Sequence, residues 1–178
     1  MTYNLQGTPM TISMYNASVP IFKQLLSALN AILDKAETHV INNKMAPDIL
    51  LQASLFPDMF NLTRQVQIAT DFAKGVTARL AGIEVPVYED NEVNFQELQA
   101  RISKTLLFIS SVTLTQIDGS EKREIITRSG TPKEKKFTGQ NYLLHYGLPQ
   151  FFFHVTTAYA ILRNNGIEIG KRDYMGIF

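Results

Sequence analysis

The 178-residue sequence contains no cysteine. Disulfides, thiolate metal ligands and a cysteine nucleophile are therefore excluded, and a reducing compartment is the compatible setting. An excess of either charge is also missing: 17 Lys and Arg stand against 16 Asp and Glu, a formal net charge of +1. Such a balance supplies no basic face for phosphates, so nucleic acid is not an expected partner. Long apolar runs are absent too. The longest apolar-rich stretch, Leu148 to Leu162, is interrupted by His154 and three further polar residues. It falls short of the roughly 20 residues needed to cross a bilayer, so no membrane partner is expected. The opening MTYNLQGTPMTISMY has neither the basic start nor the apolar run of a signal peptide. The expectation is a cytoplasmic protein. No Gly-rich phosphate loop, G-x-S-x-G elbow, H-E-x-x-H motif or internal repeat is found.

What is present is helical periodicity. Ile21, Phe22, Leu25, Leu26, Leu29, Ile32, Leu33, Ala36 and Val40 recur three and four apart, which predicts a first helix from Ser13 to Asn43. Pro20 either starts it or kinks it. His39, near its end, reads as a boundary residue favoured by the helix C-terminus. A connector with Pro47 and Pro57 holds one short helical turn. Leu62, Val66, Ala69, Phe72, Ala73, Val76 and Leu80 predict a second helix, Met59 to Leu80, ended by Gly82. IEVPVYEDNEV reads as an acidic loop in which Glu89 and Asp90 are solvated. Asn94 and Glu97 have capping-box spacing and open a third helix, Phe95 to Val112.

EKREIITRSGTPKEKKFTG is charged, alternates around REIIT and KKFT, and carries turn signals, so a solvent-exposed two-stranded hairpin is predicted. Thr138 then caps a fourth helix, Gly139 to Asn164, ended by Gly166. The tail packs back through Ile167, Ile169, Tyr174 and Phe178. Four amphipathic helices and a hairpin inserted before the fourth predict one all-α domain over residues 1–178, an antiparallel four-helix bundle.

The fourth helix is the chemically suggestive one. HYGLPQFFFHVTTAYAILRNNG carries His145 and His154, which are nine apart and so about 180° apart on a regular helix. They cannot share one metal there. Gln150 lies one turn before His154 on the same face. Pro149 lacks an N–H, which predicts a kink and an unpaired His145 carbonyl.

The segments QVQIATDFAKGVTARLAG and FTGQNYLLHYGLPQFFFHVTTAYAILRNNGIEIGKRDYMG together resemble an uncharacterised family within the DinB/YfiT-like superfamily, over about Ile12 to Gly176. The resemblance implies a four-helix bundle, often a homodimer. Many such proteins bind a divalent metal through one histidine on the second helix and an H-x-x-x-H pair on the fourth, and several are thiol transferases. His154 matches the last of these histidines. The other two fall on Gln150 and on or near Gln67.

The resemblance thus implies a degenerate metal site, and no cofactor is expected. If a divalent metal such as zinc, nickel or manganese were held, His154 would ligate it with Gln150 and Gln67. The candidate pocket comprises Arg64, Gln67, Asp71, His145, Gln150 and His154, with Gln67, Gln150 and His154 expected to satisfy one another. Three functions are compatible with it. One is a bundle binding an unknown small polar molecule without metal. Another is a metal-dependent transferase or hydrolase using His154. The third is an interaction protein that dimerises.

Overall fold

In a computed structural model the chain is described over residues 12–177. Residues 1–11 and Phe178, which the sequence reading assigns to the domain's start and to its packed tail, lie outside the described residues. Four long helices form the bundle: α1 (Val19–Asn42), α3 (Leu62–Ala81), α4 (Phe95–Ser111) and α7 (Leu148–Asn164). Short helices α2 (Asp48–Leu51), α5 (Leu114–Ile117), α6 (Gly139–Tyr142) and α8 (Lys171–Met175) decorate the connections. Strands β1 (Glu124–Thr127) and β2 (Lys135–Thr138) form an antiparallel hairpin between α5 and α6, with Glu124 opposite Thr138 and Thr127 opposite Lys135. Helix α3 lies against both α4 and α7, and α1 against α4 and α8. The all-α bundle with an inserted hairpin is thus the observed architecture. Among the described residues, no helix is long and apolar enough to cross a membrane.

The predicted stripes are the core. Phe22, Leu26, Leu29, Ile32 and Leu33 of α1 are at most 1% exposed, as are Leu62, Val66, Ala69, Ala73, Val76 and Leu80 of α3. Phe22 meets Phe151 of α7 edge to face, centroids 4.8 Å apart. Burying one such side chain contributes roughly 1.5–3 kcal/mol.

Helix boundaries follow local chemistry. α1 begins at Val19 rather than Ser13, because Met14 to Ser18 form a separate turn that the Ser18 hydroxyl closes onto the Met14 carbonyl at 2.6 Å. Pro20 therefore sits in the first turn of α1, where no N–H is required. α3 begins at Leu62 rather than Met59, because the Asn61 side chain accepts from the Arg64 N–H at 2.9 Å. Gly82 ends α3 with φ +70°, a left-handed conformation that residues with a Cβ adopt at a cost. At α4, Asn94 accepts from the Glu97 N–H, while the Glu97 carboxylate reaches the N–H of Val93 rather than that of Asn94.

The fourth helix departs most from expectation. Between α6 and α7, residues Leu143–Gly147 form a π turn in which the Leu148 N–H bonds the Leu143 carbonyl, five residues back. Pro149 then falls in the first turn of α7, where its missing N–H is tolerated. The irregularity thus lies one turn before the proline, not at a kink around it. Gly147 within the π turn lies so close to α3 that a Cβ there would sit 2.6 Å from Val76 Cγ2. Gly147→Ala is therefore expected to lower stability by about 1–3 kcal/mol. Urea denaturation followed by circular dichroism measures it. An unchanged midpoint would show that the two helices can part at no cost.

A candidate site around two arginines

The polar side of the bundle is organised by an arginine that the sequence reading passed over. Arg101 sits on the buried stripe of α4, between Leu98 and Thr105, and is 4% exposed. All its donors are engaged in one place. Nε donates to Thr70 Oγ1 at 2.7 Å. Nη1 donates to the Glu89 carbonyl and to Glu92 Oε1, both at 2.9 Å, and Nη2 to Asp71 Oδ1 at 2.9 Å. Asp90 Oδ1 stands 3.0 Å from Nη2. Burial alone would lower the Arg101 pKa, but the Glu92 hydrogen bond and the charges of Asp71, Glu92 and Asp90 outweigh it and raise it. The 88–92 loop is acidic and in part solvated, with Glu89, Asp90 and Asn91 exposed, but the Glu89 carbonyl and the Asp90 and Glu92 carboxylates also close over the guanidinium.

Further cations complete the cluster. Lys74 pairs with Asp71, and Arg64 with Asp90. Lys74 and Lys104 each place Nζ 4.2 Å from the Tyr88 ring centroid, and Arg101 lies 5.5 Å away. Burial raises the Tyr88 pKa, against the pull of a hydrogen bond to Thr105 and the charge of Arg101. Asp90 is held below the usual carboxylate range: its partial burial acts upward, but Arg64 and Arg101 outweigh it. Removing Arg101 would leave the Glu92 carboxylate, only 9% exposed, without a cation among the described residues. Arg101→Ala is expected to cost about 3–5 kcal/mol in urea denaturation. Arg101→Lys should recover only part, because an ammonium cannot reproduce the forked geometry. A loss below about 1 kcal/mol for Arg101→Ala would mean the network is superficial.

His154 is a separate matter. Its ring is 6% exposed, stacked on Phe72 with centroids 6.0 Å apart. Nδ1 lies 2.7 Å from Gln65 Oε1, and Gln65 Nε2 donates to the Phe60 carbonyl at 3.1 Å. That second bond fixes the amide, so Nδ1 carries the proton. Burial first, and the nearby charge of Arg64 second, lower the His154 pKa to about 4.

The six candidate residues thus divide. Arg64, Gln67 and Asp71 come together in the Arg101 network, where Gln67 accepts from Arg64 at 3.1 Å and donates to Glu92 Oε2 at 2.8 Å. His154 is held by Gln65 instead of Gln67 and Gln150. Residues two positions apart on a helix point about 200° apart, so Gln65 faces α7 while Gln67 faces the acidic loop. Gln150 is half-buried and His145 exposed. Neither makes a side-chain hydrogen bond among the described residues. A three-ligand metal does not fit this arrangement: His154 is the sole histidine of the position, and Gln67 is committed to Arg64 and Glu92. Among the described residues, no group of three or more His, Asp or Glu side chains is placed to hold a metal ion.

One more cluster lies where α3 meets the hairpin. Asp71, Phe72 and Arg79 of α3, Thr127 and Arg128 at the end of β1, Tyr142 of α6 and Tyr146 of the π turn line a cleft of about 170 Å³. Arg79 Nη1 donates to the Tyr142 hydroxyl at 3.1 Å. A wider groove of about 850 Å³ follows α1 and α8. Its polar groups serve to tie α8 down, through Gln24 to the Met175 carbonyl and Lys35 to Asp173.

The sequence matches the family described as "Domain of unknown function (DUF1993)" over residues 14–175. The chain belongs to the DUF1993 family. The DUF1993 bundle is also similar to the crystal structure of a DinB family member from Shewanella denitrificans, at 38% identity and a TM-score of 0.86, with 92% of each chain covered. No curated protein matches it.

Arg101, Glu92 and Gln65 are the residues that sequence reasoning missed. A signal existed for the first: Phe95, Leu98, Ile102, Thr105 and Ile109 define a stripe that includes position 101, and an arginine on a buried stripe demands carboxylates. The buried histidine gives DUF1993 a distinct acid sensitivity. A histidine whose folded pKa is depressed contributes stability that is fully present above its unfolded value near 6.5 and is lost as pH falls toward 4. Asp90 and Asp173, lowered from 3.8, lose their contributions only below that value. Between pH 6.5 and 4, the wild type should therefore lose on the order of 3 kcal/mol more than His154→Gln. Parallel pH–stability curves for the two proteins would contradict a neutral buried imidazole.

Proposed function

We propose that this DUF1993 bundle binds a small polar molecule, without a metal, in the cleft between α3, the hairpin and the start of the fourth helix. The observation that carries this reading is the state of the polar groups there. The Arg79 guanidinium has no carboxylate within salt-bridge distance among the described residues, although it lines the cleft. Thr127 is 6% exposed and its hydroxyl has no hydrogen-bond partner. A buried polar atom left unpaired costs about 1–3 kcal/mol, which a bound ligand or water would relieve. The polar groups of the Arg101 network, by contrast, are satisfied by one another.

The volume limits the ligand. About 170 Å³ is below the usual range for drug-sized ligands and holds on the order of six water molecules. A metabolite of a few heavy atoms fits. The aromatic wall of Phe72, Tyr142 and Tyr146 would exclude water from one side of it.

The His154 geometry supports the metal-free part of the proposal. Its Nδ1–H is held by Gln65, but no second histidine or free carboxylate converges on its ring among the described residues. Untagged protein should therefore carry no stoichiometric metal by elemental analysis, and zinc, nickel and manganese should give no saturable heat in calorimetry. A stoichiometric ion that is lost in His154→Ala would replace this reading with a metal-dependent transferase or hydrolase.

A further inference from the structure

We infer that the cleft takes a small carboxylate that also carries a hydroxyl or amino group, with Arg79 and Arg128 holding the carboxylate and Asp71 the neighbouring donor. This rests on the cleft being a ligand site at all, and names the class of ligand. Two cations line the cleft and a third lies beside it. Arg79 projects from α3, Arg128 follows β1, and Lys135, opposite Thr127 on β2, places Nζ 5.5 Å from the Tyr146 ring centroid. None of the three has a carboxylate within 4.0 Å among the described residues. Two unpaired guanidiniums lining one small cleft, with an unpaired ammonium beside it, favour an anion there.

The remaining groups narrow the class. Asp71 also lines the cleft. Its Oδ1 is taken by Lys74 and Arg101, and its Oδ2 accepts no hydrogen bond among the described residues. A bare dianion would meet that oxygen as a like charge. A single carboxylate with a hydroxyl or ammonium a few ångströms away turns the same oxygen into an acceptor. Thr127 lines the cleft as well, and its buried hydroxyl has no partner among the described residues.

Backbone geometry at Arg128 adds an independent observation. Its φ is +53°, a left-handed conformation that is costly for a residue with a Cβ. Glycine would relieve that cost.

The test is a titration of the full chain, followed by amide NMR shifts of Thr127, Arg128 and Tyr146. The probes are glycolate, L-lactate and L-serine, with inorganic phosphate and the neutral propane-1,2-diol as comparisons. At least one of the three substituted carboxylates should bind saturably and more tightly than phosphate. Arg128→Gly should weaken that binding about tenfold or more, while its melting temperature stays unchanged or rises. Arg79→Gln should weaken it likewise, and Lys104→Ala, outside the cleft, should not. Saturable binding of the diol or of phosphate in preference to the carboxylates would overturn this inference and leave the cleft as a ligand site. Carboxylate binding that survives both arginine substitutions would overturn it too. If no probe moves the three amides, both the inference and the proposed function fail.

Discussion

The buried guanidinium of Arg101 is the constraint on which the polar half of this bundle depends. A charge at 4% exposure in a helix stripe is untenable alone, and the fold answers with three carboxylates, a carbonyl and a hydroxyl. Those partners come from two segments far apart in character. Thr70 and Asp71 belong to a regular helix, whereas Glu89, Asp90 and Glu92 belong to a loop without regular secondary structure. The arginine is therefore what gives the 88–92 loop a fixed course. Through Gln67 and Arg64 the same network reaches the beginning of α3.

That network also explains why the polar residues of α3 do not form one site. On a helix, the sides toward α4 and α7 are separate environments. Gln67 and Asp71 turn toward the arginine. Gln65 turns toward α7 and anchors His154, which remains neutral because it is buried between aromatic rings. Asp71 alone bridges two functions: one oxygen neutralises Arg101 and Lys74, and the residue also lines the cleft beside the hairpin. The cleft is completed by the π turn, which carries Tyr146 and brings Gly147 against Val76.

The helices were legible because their signal is periodic and local. Residues three and four apart mark the buried faces of α1, α3 and α4, and Gly82 and Asn94 mark ends to within a few residues. The hairpin was legible from alternation and turn residues. The site was legible only in part. Arg64, Gln67 and Asp71 do cluster, but their hub, Arg101, is 30 residues past Asp71, and its other partners sit in a loop whose path no local rule dictates. The Gln65–His154 pair was missed for a related reason. A register difference of two residues on α3 decides which glutamine faces α7, and composition alone does not set that register. The π turn was invisible for a third reason: it arises from accommodating Pro149 and from close packing against α3, a tertiary effect.

The account divides the interior arginines into one that holds the fold and one that awaits a ligand. The Nε–H resonances of Arg101 and Arg79 test this directly in a single titration of the protein with the tightest-binding of glycolate, L-lactate and L-serine, observed by nitrogen–proton NMR. Arg101, donating to Thr70 from within the network, should give a slowly exchanging signal that does not move. Arg79 should give a signal that shifts saturably. An Arg101 signal exchanging as fast as that of exposed Arg128, with Arg79 unmoved at every concentration, would contradict both halves of the account.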